Sequence, residues 1–259
     1  MLRKRIIPCL LLKGKGFVKT TNFKNPVYLG DPQNIINIFN QKMIDEIMIL
    51  DISATFEKRP PNFDLIQKLS SRSFSPVCYG GGISSISDAE KLFKIGIEKV
   101  CLNTNAFSNP NLLSDLASRF GSQSVVVSIN VSKNIVGRYK IVDNSIKTLS
   151  NKLTVKETIK WLENLGVGEI LINDVSNDGV MKGYDIELIN SVTSISSVPI
   201  IACGGCGSIE HIKNVFDEGG VSAAAAGSFF VFNGKHKAVL ISYPSNSTVK
   251  NLISNNNKT

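Results

Sequence analysis

Short apolar, β-branched runs alternate along the chain with amphipathic stretches of about a dozen residues. Eight runs are predicted as strands: Arg5–Leu11, Glu46–Asp51, Val77–Tyr79, Lys99–Leu102, Val125–Ile129, Glu169–Asn173, Ile200–Ala202 and Ala223–Ala226. Helical patterns fall between them, over Ile86–Ile95 and Val155–Leu165 and from Asn62 onward, where Pro60-Pro61 marks a helix entry. Eight βα units point to an α/β fold, a parallel sheet closed as a single (β/α)8 barrel.

The pattern also repeats. DEIMILDIS from Asp45 answers GEILINDVS from Gly168, and PVCYGGGISSI from Pro76 answers PIIACGGCGSI from Pro199, both at a spacing of 123 residues. The same spacing pairs Glu46 with Glu169, Asp51 with Asp174, Ser53 with Ser176, Gly81 with Gly204 and Gly82 with Gly205. Two (β/α)4 half-barrels are the simplest reading. Residues 1–232 are assigned to the barrel and 233–259 to a divergent C-terminal segment, in which HKAVLISYPS reads as extended and SNNNKT as frayed.

Barrel chemistry lies at the C-terminal ends of the strands. There the repeat sets Gly80-Gly81-Gly82 with Asn103-Thr104, and Gly204-Gly205 with Gly227-Ser228. Glycine lets backbone N–H groups approach a phosphate, so two phosphate cradles are expected on opposite sides of the mouth. Tight βα turns are the plainer reading of the same glycines.

Composition narrows the classes. The chain has 259 residues and a formal charge of +8, which suits phosphorylated ligands or an acidic partner. Its lysines are scattered, without the aromatic-interleaved basic run of a nucleic-acid surface. No apolar run reaches the roughly 20 residues of a membrane span, and the opening MLRKRII is not a signal peptide. The expectation is a cytoplasmic protein with no nucleic-acid and no membrane partner. Cys9, Cys78 and Cys101 read as core thiols, and Cys203-Gly-Gly-Cys206 is a lone CxxC without the second pair a metal site needs. No metal is predicted. His211 and His236 receive no role.

RKRIIPC, Leu50–Arg59, GGGI, NTNAF, SQSVVVSI, NDGVMKGYD and IIACGGCG closely resemble the cyclase subunit of imidazole glycerol phosphate synthase (HisF) over roughly residues 1–232. The resemblance implies no cofactor. It implies a heterodimer with a glutaminase (HisH-like) subunit, whose ammonia crosses the barrel to a bis-phosphorylated nucleotide, PRFAR. The products are imidazole glycerol phosphate and AICAR. The family's ammonia gate corresponds to Arg5, Glu46, Lys99 and Glu169, all of matching type. An ordinary stabilising charge network is the alternative reading of these four. Lys19 matches a flexible-loop lysine that closes over phosphate, with Lys13–Leu29 expected as the lid.

The catalytic positions depart from the family. It reads CLDVKDG where this chain has Cys9-Leu-Leu-Leu-Lys-Gly-Lys15, so Leu11 replaces one catalytic aspartate, and Asn130 replaces the other. Neither side chain exchanges protons usefully. At the sixth strand, Asp178 and Gly179 match, Gly179 joining the phosphate-binding set, while Ser176 stands for an acid and Val180 for a threonine. Asp51, Asp174 and Asp178 are the candidate replacement acids; for Asp51 and Asp174 a buried structural role is the preferred reading.

Three functions follow. The first is a diverged synthase subunit that passes ammonia to an acceptor, in amidation of a sugar for surface polysaccharide (lipopolysaccharide biosynthesis), with a downstream amidotransferase as a further partner. The second is a genuine histidine-pathway cyclase, a lyase. The third is a non-catalytic scaffold binding a phosphorylated small molecule.

Overall fold

In the computed structural model, which describes residues 3–142 and 153–254, eight parallel strands close on themselves. They are β1 (Arg5–Lys13), β2 (Ile47–Asp51), β3 (Val77–Gly80), β4 (Lys99–Leu102), β5 (Val125–Lys133), β6 (Glu169–Asp174), β7 (Ile200–Cys203) and β8 (Ala223–Ala226). Each pairs in parallel with its sequence neighbours, and β8 returns to β1 with Arg5 beside Ala223 and Pro8 beside Ala226. This is the (β/α)8 barrel expected from the alternating pattern.

Both faces of every strand are covered, which is why the strands read as continuous apolar runs rather than alternating ones. Even-numbered residues of β1 (Ile6, Leu10, Leu12) pack outward against the helices. Ile7 and Cys9 face the bore, where they meet Met48, Cys78, Cys101, Val126, Leu171, Ile201, Cys203, Ala223 and Ala225. The longer helices are α1 (Pro32–Asn40), α2 (Phe63–Ser70), α3 (Ile86–Lys94), α4 (Pro110–Phe120), α5 (Val155–Asn164), α6 (Ile186–Thr193), α7 (Ile209–Asp217) and α8 (Asn246–Ser254), with short helical turns at Thr104–Ser108 and Ser228–Val231. Side-chain caps start six of them: Asp31, Asn62, Ser85, Thr154, Asp185 and Ser208 each accept a first-turn N–H. The last three lie 123 residues beyond the first three, so the half-barrel repeat extends to the helix starts. No helix among the described residues is long and apolar enough to cross a membrane.

Three features differ from the sequence reading. The stretch expected as a lid loop is a β-hairpin, Gly16–Thr21 paired with Lys24–Gly30, and it extends the sheet from β1. A second hairpin joins the end of β5 to Tyr139–Ile141. Among the described residues after β8, only Phe232–Asn233 and Ala238–Val239 pair as strands, and Asn246–Ser254 is helical. Tyr243 stacks on Phe230 at 5.3 Å and donates its hydroxyl to Ile6 O at 3.1 Å, while Val249 and Leu252 are buried in the outer core. The end read as frayed lies, from residue 255, outside the described residues.

Candidate functional site

Side chains two residues apart on a strand share a face. On β1 the inward column therefore runs Arg5, Ile7, Cys9, Leu11; from the start of β2 it runs Glu46, Met48, Leu50; on β6 it runs Glu169, Leu171, Asn173. The barrel is charged at the N-terminal end, apolar in the middle and mixed at the mouth.

At the mouth lies a cavity of about 530 Å³. Leu11, Leu50, Ile52, Phe56 and Ile83 supply apolar surface, and Asn103, Ser128, Asn130 and Asn173 supply amides and a hydroxyl. Leu11 sits in register with Leu50 on β2. Leu11 and Asn130 thus share one cavity, one apolar and one neutral. Asn103 spends an N–H on Ser128 O at 2.9 Å. Asn173 is buried and its Oδ1 has no hydrogen-bond partner among the described residues.

The three candidate acids are all tied into loops. The Asp51 side chain is fully buried. Its Oδ1 accepts from Ser53 N at 3.0 Å, Ser53 Oγ at 3.1 Å and Ala54 N at 3.1 Å, and its Oδ2 meets Arg59 at 2.8 Å. Asp174 repeats the turn: Oδ1 accepts from Ser176 N at 2.9 Å and Asn177 N at 3.3 Å, with Asn177 Nδ2 on Oδ2 at 2.6 Å. Burial pushes the Asp174 carboxyl upward, opposed by these hydrogen bonds. In the first half a guanidinium does what an amide does in the second. Asp178 holds Lys19 Nζ at 2.6 Å and accepts from Thr20 Oγ1 at 3.2 Å.

The two glycine turns share their closest approach. A Cβ on Gly81 would lie 2.5 Å from Asp51 O, and one on Gly204 would lie 2.5 Å from Asp174 O. Both have positive φ, 120° and 96°, so glycine is required twice over. The cradles differ in what faces them. Gly81, Gly82, Asn103 and Thr104 line the open cavity. Gly204, Gly205, Gly227 and Ser228 do not line it. Gly227 lies against the aliphatic chain of Lys19, where a Cβ would come within 2.8 Å of Cε, and Gly179 lies against Thr20 O. Lys19 is buried, and the hairpin tip is tied down by Asn22, whose backbone N–H donates to Asp178 O at 2.8 Å and whose Nδ2 donates to Ser176 O at 2.6 Å. Ser228 Oγ is buried and unpartnered among the described residues.

At the opposite end the four charged residues form a closed ring. Arg5 bridges Glu46 at 2.5 Å and Glu169 at 2.8 Å, and Lys99 bridges the same two at 3.0 and 3.2 Å. Their side chains are between 3% and 18% exposed, so the pairs lie below the surface and compensate each other. Glu46 Oε1 is buried without a partner among the described residues.

The sequence singled out neither Arg59, Asn22 nor Asn173 as a working residue. The only signals were a cation eight residues after Asp51 and the repeat that maps the Asp51 turn onto Asp174.

The model of the family described as histidine biosynthesis protein matches residues 5–237. A Pseudomonas aeruginosa protein provisionally named imidazole glycerol phosphate synthase subunit hisF2 is 49% identical over 244 residues, covering 94% of this chain and 97% of the relative. A Vibrio vulnificus protein, provisionally named subunit hisF3, is 42% identical over 250 residues, with 96% of each chain covered. The imidazole glycerol phosphate synthase subunit HisF of Alkaliphilus metalliredigens is 36% identical, covering 90% of this chain and 92% of its own.

Proposed function

Because the chain belongs to the family of histidine biosynthesis proteins and is HisF-like along nearly its whole length, we propose that it is the synthase subunit of a glutamine amidotransferase complex, diverged from the cyclase reaction. A glutaminase docks at the Arg5–Glu46–Lys99–Glu169 face, and ammonia leaves at the mouth. The acceptor there is a sugar destined for surface polysaccharide, handled together with a downstream amidotransferase.

One observation carries this reading. The charge ring is intact beneath an apolar, thiol-lined bore, while the cavity above it presents Leu11 and Asn130. An apolar bore favours passage of neutral ammonia over ammonium, because burying an unpaired ion costs far more. The cyclase reaction needs general acid–base groups at the mouth, each supplying about 10²–10⁴-fold. The neutral amide of Asn130 and the alkyl group of Leu11 supply none.

The test separates the two halves of the proposal. The purified protein is given PRFAR with excess ammonium salt, which bypasses any glutaminase. No imidazole glycerol phosphate is expected, and turnover at an ordinary cyclase rate would restore the histidine-pathway reading. In parallel, the protein is mixed with the glutaminase encoded beside it. Stimulated glutamine hydrolysis is expected; no complex and no stimulation would reject the synthase reading in favour of a scaffold.

A further inference from the structure

The repeat builds two glycine cradles, yet the hairpin leaves one of them open. We propose that the mouth binds an acceptor through a single phosphate and at least one hydroxyl, and offers a second phosphate no cradle. The phosphate sits at Gly81-Gly82, a hydroxyl donates to Asn173 Oδ1, and the Lys19–Asp178 pair seals the second cradle. This deepens the functional reading above and rests on it only in taking the mouth as the acceptor end.

Three observations converge. First, the residues lining the cavity come from β1 to β6, their following loops and the first hairpin; among the described residues none comes from the ends of β7 or β8. Second, the seal is specific. Lys19 is only 5% exposed, its ammonium is engaged by Asp178 Oδ1 at 2.6 Å and Thr20 O at 3.0 Å, and its Cδ and Cε lie where a Cβ on Gly227 would fall. A lysine placed there to greet a phosphate would keep its donors outward; this one has its charge compensated by a carboxylate and presents its alkyl chain to the cradle. Asp178 also accepts from Thr20 Oγ1, and Asn22 fastens the hairpin tip to the same loop through Val175 O and Ser176 O. Third, Asn173 Oδ1 is a buried acceptor without a partner among the described residues, in a residue more than nine-tenths buried that lines the open cavity. An unmet buried acceptor is costly unless something donates to it, and a ligand hydroxyl fits. Leu11 and Leu50 give the adjoining wall an apolar face suited to the C–H face of a sugar.

Calorimetric titration of the full chain with two probes, ribose 5-phosphate and ribulose 1,5-bisphosphate, decides the matter without any ammonia transfer. The wild type should bind the monophosphate, and the bisphosphate no more tightly than about threefold either way. Asn173→Ala should weaken ribose 5-phosphate by about five- to tenfold, the loss of one neutral hydrogen bond. Replacing both partners of the seal, Lys19→Ala with Asp178→Asn, should raise bisphosphate affinity at least tenfold over the wild type and leave the monophosphate unchanged. Preference of the wild type for the bisphosphate by tenfold or more would overturn the proposal, as would binding of neither probe at millimolar concentration. Failure of glutaminase docking with these affinities intact would reject the functional reading and leave this one standing.

Discussion

Asp51 and Asp174 occupy equivalent turns but have different partners, and the difference sets how each responds to change. Asp51 is fully buried and its charge is balanced by Arg59, itself 29% exposed. Arg59→Ala would leave that carboxylate buried and unpaired, at a cost of about 3 kcal/mol. Urea denaturation should show the loss, and Asp51→Asn should restore part of it in the double variant. A cost under about 1 kcal/mol would mean that the Ser53 and Ala54 hydrogen bonds carry the charge alone. Asp174 has amides instead of a cation, and burial raises its pKa above that of the unfolded chain. A carboxyl raised in this way binds its proton more tightly when folded, so its contribution is fully present below the unfolded value of about 3.9 and is lost as pH rises through the folded one. The stability of the wild type relative to Asp174→Asn should therefore fall as pH is raised from below the unfolded value through the folded one. A difference that is flat, or that rises, would show the hydrogen bonds from Ser176 and Asn177 outweighing burial.

Elements were legible where they repeat and obscure where they do not. All eight barrel strands could be read because β-branched runs buried on both faces leave a dense signal, and the 123-residue spacing matched β2 and β3 to β6 and β7. The first hairpin was hidden for a definite reason. Its two-residue turn is Asn22-Phe23 with φ of 49° and 61°, the mirror-image turn that hairpins prefer, but with phenylalanine where glycine gives the usual signature. Its second strand is mostly exposed, so no apolar run marked it. Helix α8 was missed because its burial rests on Val249 and Leu252, too few to set a period. The lysine that the family resemblance assigned to a lid is consequently a strand residue facing Asp178. The caps make the repeat testable. Ser85→Ala and Ser208→Ala each remove the same bond, to Asp88 N and His211 N, and each should cost about 1 kcal/mol by thermal or urea unfolding. The second hairpin hangs on a side-chain cluster. Tyr139 OH donates to Asp185 at 3.0 Å, and Lys133 Nζ donates to Glu187 at 2.9 Å. Tyr139→Phe should speed amide exchange over 131–141 and leave the global unfolding midpoint nearly unchanged. Exchange as slow as in the wild type would assign the hairpin's anchoring to its backbone pairs with β5.

At the scale of the whole barrel, the charge ring and the mouth cavity make opposite demands. The cavity can vary residue by residue, because each strand end projects separately into open space. The ring cannot, since two cations and two acids on β1, β4, β6 and the start of β2 compensate one another at a depth where an unpaired charge is expensive. A structural network and an ammonia gate both predict retention, so retention alone does not separate them; the response to Lys99→Met does. Removing Lys99 leaves Glu46, 3% exposed, and Glu169, 12% exposed, sharing Arg5, which should destabilise the fold by about 2–4 kcal/mol, less at high salt. If the ring is only a brace, the folded variant should still stimulate the docked glutaminase, and its consumption of glutamine and of added ammonium should match the wild type. If the ring gates a conduit, glutamine hydrolysis should persist while ammonia escapes to solvent rather than reaching the mouth, so that external ammonium becomes as good a source as glutamine.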